Sequence, residues 1–255
     1  MNLSRIAACA LTASVGFSTP RVQAQQTLGF AVGESGVSQP IPDNDPSGIA
    51  RTFQTSGLTV GVPYDLTVSL SVEPTGFGAF NGDYYAYLLH ETASGSEFRL
   101  AVLMNRVGSS ASQPNGYSDS GFRLTFSDSA LQDIHQYRVA LGGPPTGLVS
   151  GTWQPDGRTT DPFLALDTSP RSAFLAPLGQ MDPNGQWTLF VADMEAGGSG
   201  KLTGWEVRAV PSATVIPEPS TVWMLGIGSA AAMGCRRRRS AGGPPGPRLR
   251  SCQWS

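Results

Sequence analysis

The middle of this 255-residue chain has no cysteine: Cys9, Cys235 and Cys252 all lie towards its ends. Residues 25–215 therefore hold together without a disulfide, by packing and at most a bound cation. Positive charge is equally scarce. Lys201 is the only lysine in that span, where nine basic side chains stand against eighteen acidic ones, a net charge of −9. That balance excludes a nucleic-acid groove, which needs a basic stripe along the phosphates. Only two histidines occur, His90 and His135. There is no Gly-x-Ser-x-Gly turn, no Cys-x-x-Cys pair and no glycine-rich phosphate loop after a strand. Triad hydrolysis, thiol redox and nucleotide chemistry thus lack their usual local frames.

What is present begins with an address. Met1–Arg5 is a short n-region, Ile6–Phe17 a mostly apolar h-region, and Val22-Gln23-Ala24 ends in small-residue cleavage geometry. The expectation is a signal peptide over residues 1–24, passed by the Sec translocon and removed by signal peptidase after Ala24. Cys9 follows Ile6-Ala7-Ala8 as a lipoprotein box does, but no apolar segment precedes it to be inserted.

A second address lies near the other end. Pro217-Glu218-Pro219 opposes a continuous helix or strand, because each proline lacks an N–H and restricts its predecessor. Thr221–Cys235 is free of charge. As a helix its fifteen residues span roughly 22 Å, short of a hydrocarbon core of about 30 Å, so it crosses only upright, with local thinning or with Arg236 snorkelling. Arg236, Arg237, Arg238 and Arg239 then stay on the cytoplasmic side. This order of Pro-Glu-Pro, short transmembrane helix and arginine block over residues 216–239 resembles the PEP-CTERM sorting signal of Gram-negative bacteria. The resemblance implies recognition and cutting by exosortase, a membrane protease-transpeptidase. It also implies transient anchoring in the inner membrane, then delivery to the cell surface or extracellular matrix. Ser240–Ser255 departs from the pattern: it is rich in Gly, Pro and Arg and reads as a disordered tail.

Between the addresses the chain reads as strands. Tyr64, Leu66, Val68, Leu70 and Val72 alternate with polar residues, and Phe122, Leu124 and Phe126 do the same. Phe98, Leu100, Val102 and Met104 predict a third strand with one dry face, and Tyr84–Leu89 one that is apolar on both faces. A single helical turn is expected at Ser127–Ile134, capped by Ser127 or Asp128. Gly- and Pro-rich breaks separate the runs. Many short strands at this spacing predict an all-β protein, a jelly-roll-like sandwich of about eight strands, with the C-terminal helix 221–235 as its one transmembrane element. Residues 211–215 read as a linker.

The sharpest local pattern is Gly185, Trp187, Leu189, Val191 and Asp193, followed by Gly200, Leu202 and Trp205. The two runs read as a β-hairpin with a bulge at Gly204. Together with Ile41-Pro42-Asp43-Asn44-Asp45-Pro46-Ser47-Gly48 and the stretches 83–89 and 103–108, they resemble the P domain (P/Homo B) found beside subtilisin-like proprotein convertases. The resemblance covers residues 37–210, leaves 25–36 as an N-terminal extension, and implies a jelly roll.

Chemistry in that domain is thin. Acidic residues sit in turn-like contexts, where Asp commonly caps the backbone. Asp83, Asp119 and Asp193 are the candidates for calcium, which takes about six to eight oxygens from loops and strand ends; no other cofactor is indicated. Tyr84, Tyr85, Tyr87 and Tyr117 are either sandwich core or a sugar-stacking platform. Two functions follow. One is a non-catalytic exported protein that binds exopolysaccharide or protein at the envelope or matrix. The other is an extracellular hydrolase, or an accessory domain of a subtilisin-like protease.

Overall fold

A computed structural model describes residues 29–212, and these form two antiparallel-rich sheets packed face to face. One sheet has five strands in the order β1-β9-β3-β6-β7: β1 (Phe30–Ile41), β9 (Ser199–Pro211), β3 (Tyr64–Thr75), β6 (Phe122–Ser127) and β7 (Val149–Trp153). The other has four in the order β2-β8-β4-β5: β2 (Asp45–Thr55), β8 (Gly185–Asp193), β4 (Tyr84–Thr92) and β5 (Phe98–Asn105). All pairings are antiparallel except β6 with β7. Among the described residues there are thus nine strands rather than about eight. No helix there is long and apolar enough to cross a membrane. The signal peptide with Ala24, the sorting segment 216–239 with helix 221–235 and the tail 240–255 lie outside the described residues.

The alternating strands behave as their period dictates. Tyr64, Leu66, Val68, Leu70 and Val72 of β3 and Phe122, Leu124 and Phe126 of β6 are all buried between the sheets. Two tryptophans interlock them. Phe30 from the five-stranded sheet packs 5.8 Å from Trp187 of the other, and Phe53 packs 5.6 Å from Trp205 in the reverse sense. Each indole buries about 150–250 Å², several kcal/mol at about 25 cal/mol per Å². Both keep their N–H satisfied, Trp187 donating to Thr55 Oγ1 (3.2 Å) and Trp205 to Glu34 Oε1 (3.2 Å).

Four expectations need correction. β8 and β9 are not a hairpin: they lie in different sheets, and the turn after Asp193 carries the chain from one to the other. A glycine-rich turn between two strands has the same composition whether it folds back or crosses over, so sequence does not separate the cases. The bulge expected at Gly204 is there, with Thr203 the unpaired residue between Ser71↔Gly204 and Val72↔Leu202. In β5 the parity breaks. Phe98 is 67% exposed while Ala101 and Leu103 are buried, because the register slips between Ala86 and Tyr87 and leaves Leu103 as the extra residue. Residues 30–36, expected in an extension, belong to β1 and pair with β9. The helical turn falls later than expected, as a 3-10 turn at Ile134–Gln136 running into α1 (Tyr137–Leu141), with Asp133 rather than Asp128 as its cap. A second short helix, α2 (Ala176–Gly179), carried no sequence signal.

Candidate functional site

At one end of the sandwich three connections bring acidic side chains together. Asp193 ends β8 on its core-facing side, in step with Trp187, Leu189 and Val191, so the alternation that builds the core also drives a carboxyl into it. Its cross-strand neighbours are Tyr84 on β4 and Asp45 on β2. Asp83 closes a 3-10 turn just before β4, and its carbonyl accepts the Met194 N–H at 2.8 Å, which holds it beside the end of β8. Asp43 sits in the turn between β1 and β2, where Asn44 takes a positive φ of 53°; Asp43 Oδ1 accepts the Gly197 N–H at 3.2 Å. Asn44 is one of the residue types that tolerate this left-handed conformation.

Asp193 is fully buried and Asp83 is 4% exposed. Burial pushes the Asp83 carboxyl up to about 6, offset by Arg106 and reinforced by Glu195 and Asp43. It pushes Asp193 up to about 7, partly offset by the Glu195 and Asn44 N–H groups and reinforced by the charges of Asp83 and Asp43. The phenol of Tyr84 is raised by burial first and then by Asp193, Asp83 and Asp43. Asp193 Oδ2 and Tyr84 Oη are both buried without a hydrogen-bond partner. Arg106, the nearby cation, is committed elsewhere: Nη1 to Glu195 Oε1 at 2.7 Å and Nε to the Gly82 carbonyl at 3.0 Å. Asp83 also lines a cleft of about 250 Å³ with Phe80, Tyr117 and Glu195.

Asp119, the third calcium candidate, is used differently. Its carboxylate is gripped by Arg138 at 2.6 and 2.9 Å and takes the Tyr137 hydroxyl at 2.6 Å. Such a bidentate pair is a structural clamp between the segment before β6 and α1. Among the described residues, no three His, Cys, Asp or Glu side chains form a metal-ligand group. Of the resemblance residues, Asp43 and Asp193 reach the acidic end; Trp187, Leu189, Val191, Leu202 and Trp205 are core, and Gly185 and Gly200 are close-approach positions.

A buried ionic network next to the end of β5 carried no recognisable sequence signal. His135 Nδ1 contacts Asp156 Oδ2 at 2.8 Å, and Asp156 Oδ1 accepts from Arg158 Nη1 at 3.0 Å. Arg158 also reaches Asp133, and Arg171 holds the carbonyls of Pro155 and Asp156. The His–Asp contact has the look of a triad fragment, yet His135 is fully buried and its Nε2 faces the Ser109 carbonyl at 3.0 Å rather than a nucleophile. His90 is spent likewise, its nitrogens on the carbonyls of Gln186 and Asp182 and its ring stacked on Trp187 at 3.9 Å. The tyrosines divide: Tyr84 and Tyr117 are core. Tyr85 and Tyr87 lie half-buried on the outer face of the four-stranded sheet, where Tyr87 stacks on Phe190 at 4.8 Å and 16°. Tyr87 and Phe190 each cover one ring face of the other, with Tyr85 tilted against both.

Comparison with known proteins places one segment. Residues 215–239 match the PEP-CTERM protein-sorting motif. That motif marks an exported protein processed by an exosortase-type enzyme and targeted to the surface of a Gram-negative cell. No curated protein matches the chain.

Proposed function

We propose that the chain is a non-catalytic exported protein, delivered by its sorting signal to the cell envelope or an exopolysaccharide matrix. There its sandwich serves as a P-domain-like binding or structural module. The match at residues 215–239 carries the reading. The non-catalytic part is supported by His90 and His135, both fully buried with each ring nitrogen already facing an acceptor. A general base needs a ring nitrogen within reach of a substrate proton. The P-domain-like part is supported by where the resembling stretches fall: the crossing from β1 to β2, the β4–β5 pair, and β8 and β9, each interior to its sheet.

Fractionation of the native cell, followed by incubation of the recovered protein with purified matrix exopolysaccharide, tests both parts. The expected result is protein in the surface or matrix fraction, retained on the polymer with no release of reducing ends. Protein recovered free in the cytoplasm overturns the sorting, and release of sugar or peptide product overturns the non-catalytic reading.

A further inference from the structure

The acidic end of the sandwich is built as more than a solvated turn. Tyr84 and Asp193 are direct cross-strand neighbours on the core side of β4 and β8. Tyr84 Oη and Asp193 Oδ2 are both buried and unpartnered, the phenol and the carboxyl each being 0% exposed. The phenol tip reaches across to β9, where a Cβ at Gly200 would lie 2.5 Å from Tyr84 Oη. Buried polar atoms of this kind are normally paired, and each unpaired one carries a desolvation penalty. Charge adds to the case. Asp83, almost as buried as Asp193, shares the same end, with Asp43 and Glu195 close enough to act on it. Against these stands Arg106, whose guanidinium already serves Glu195 and the Gly82 carbonyl. A neighbouring water would satisfy a lone pair but neutralise nothing.

From this geometry we infer that a calcium ion binds between the carboxylates of Asp83 and Asp193, with Tyr84 Oη facing it and Asp43 adding negative charge from the β1–β2 turn. The donors are hard oxygens, which suit calcium rather than a transition metal, and calcium completes a shell of six to eight with backbone carbonyls and water. A cleft of about 250 Å³ opens beside Asp83, with Glu195 on its wall. Two carboxylates rather than three or four make a weak site, in the range of about 10⁻⁴–10⁻³ M typical of extracellular modules. The inference does not depend on what the sandwich binds at the cell surface.

Thermal unfolding of the full-length protein in chelator and in calcium tests it. At free calcium about ten times Kd the melting temperature rises by roughly 3–6 °C. Asp83→Asn and Asp193→Asn abolish the rise, while Asp119→Asn, which disturbs the clamp to Arg138 and Tyr137, keeps it. Terbium titration of the wild-type protein gives a second readout: luminescence sensitised through Tyr84, displaced by calcium, and lost in Asp83→Asn even if Asp193→Asn fails to fold. A wild-type melting temperature indifferent to calcium overturns the inference. So does an equal rise with magnesium alone, or a calcium response retained in both asparagine variants.

Discussion

Asp193 and Glu34 are both carboxyls near the edge of the core, and their partners give them opposite dependence on pH. The Arg51 guanidinium, with Nε 2.6 Å from Glu34 Oε1, holds Glu34 below its usual range, aided by the Trp205 N–H. That stabilisation is present above the unfolded value of Glu34 and is lost as pH falls through the folded one. Asp193 runs the other way. Burial raises it from 3.8 to about 7, so the folded state resists its ionisation. The resulting penalty is absent below about pH 4 and complete above about pH 7, worth on the order of a few kcal/mol. In chelator, the urea midpoint of the wild-type protein therefore falls relative to that of Asp193→Asn as pH rises from about 4.5 to 8. Parallel midpoints across that range would show that Asp193 ionises as freely in the fold as in the unfolded chain. Asp156, by contrast, is buried but fully engaged by His135, Arg158 and the Asn105 N–H, so its charge is compensated within the protein.

At the level of strands, what was legible followed from period, and what was not followed from register. β3 and β6 could be read because every second residue is apolar and the ladder between them is unbroken, the one bulge against β3 lying in β9. β5 could not, because one bulge residue, Leu103, swaps the faces midway, and period-two reasoning has no way to see an unpaired residue. The acidic end was half legible. Asp83 and Asp193 were identifiable as strand-end carboxylates, but Asp43 joins them through the turn between sheets and Tyr84 through cross-strand register, both set by tertiary pairing. Asp119 looked the same in sequence and is claimed by an arginine nineteen residues away. Gly185 shows how tightly this register is held. It opens β8 between Thr55 of β2 and Thr92 of β4, with φ 142° and a hypothetical Cβ only 2.1 Å from the Glu91 carbonyl oxygen. Gly185→Ala must push backbone apart at the centre of a sheet and costs at least about 2 kcal/mol. Gly142→Ala, with φ 74° but nothing within 4 Å, costs about 1 kcal/mol from the backbone alone. Equal urea midpoints for the two variants would refute that distinction.

For the whole molecule, the two kinds of information in the chain are separable, and a single substitution set can test that separation. The described sandwich spans residues 29–212. The sorting motif lies outside it, at 215–239. The cysteine-free sandwich draws its stability from the Trp187 and Trp205 interlock and the β3–β9 ladder, none of which involves the motif. Replacing Pro217, Glu218 and Pro219 with alanine removes the recognition element and leaves those contacts intact. The expected outcome is a protein that melts at the wild-type temperature and keeps its C-terminal arginines Arg236–Arg239 by mass spectrometry. It also shifts from the surface fraction to the membrane fraction. The wild-type protein is expected to end close to Pro219 by the same measurement. An unchanged C-terminus and unchanged release in the alanine variant would mean that these three residues do not direct processing, and that the arginine block or the apolar run carries the address instead.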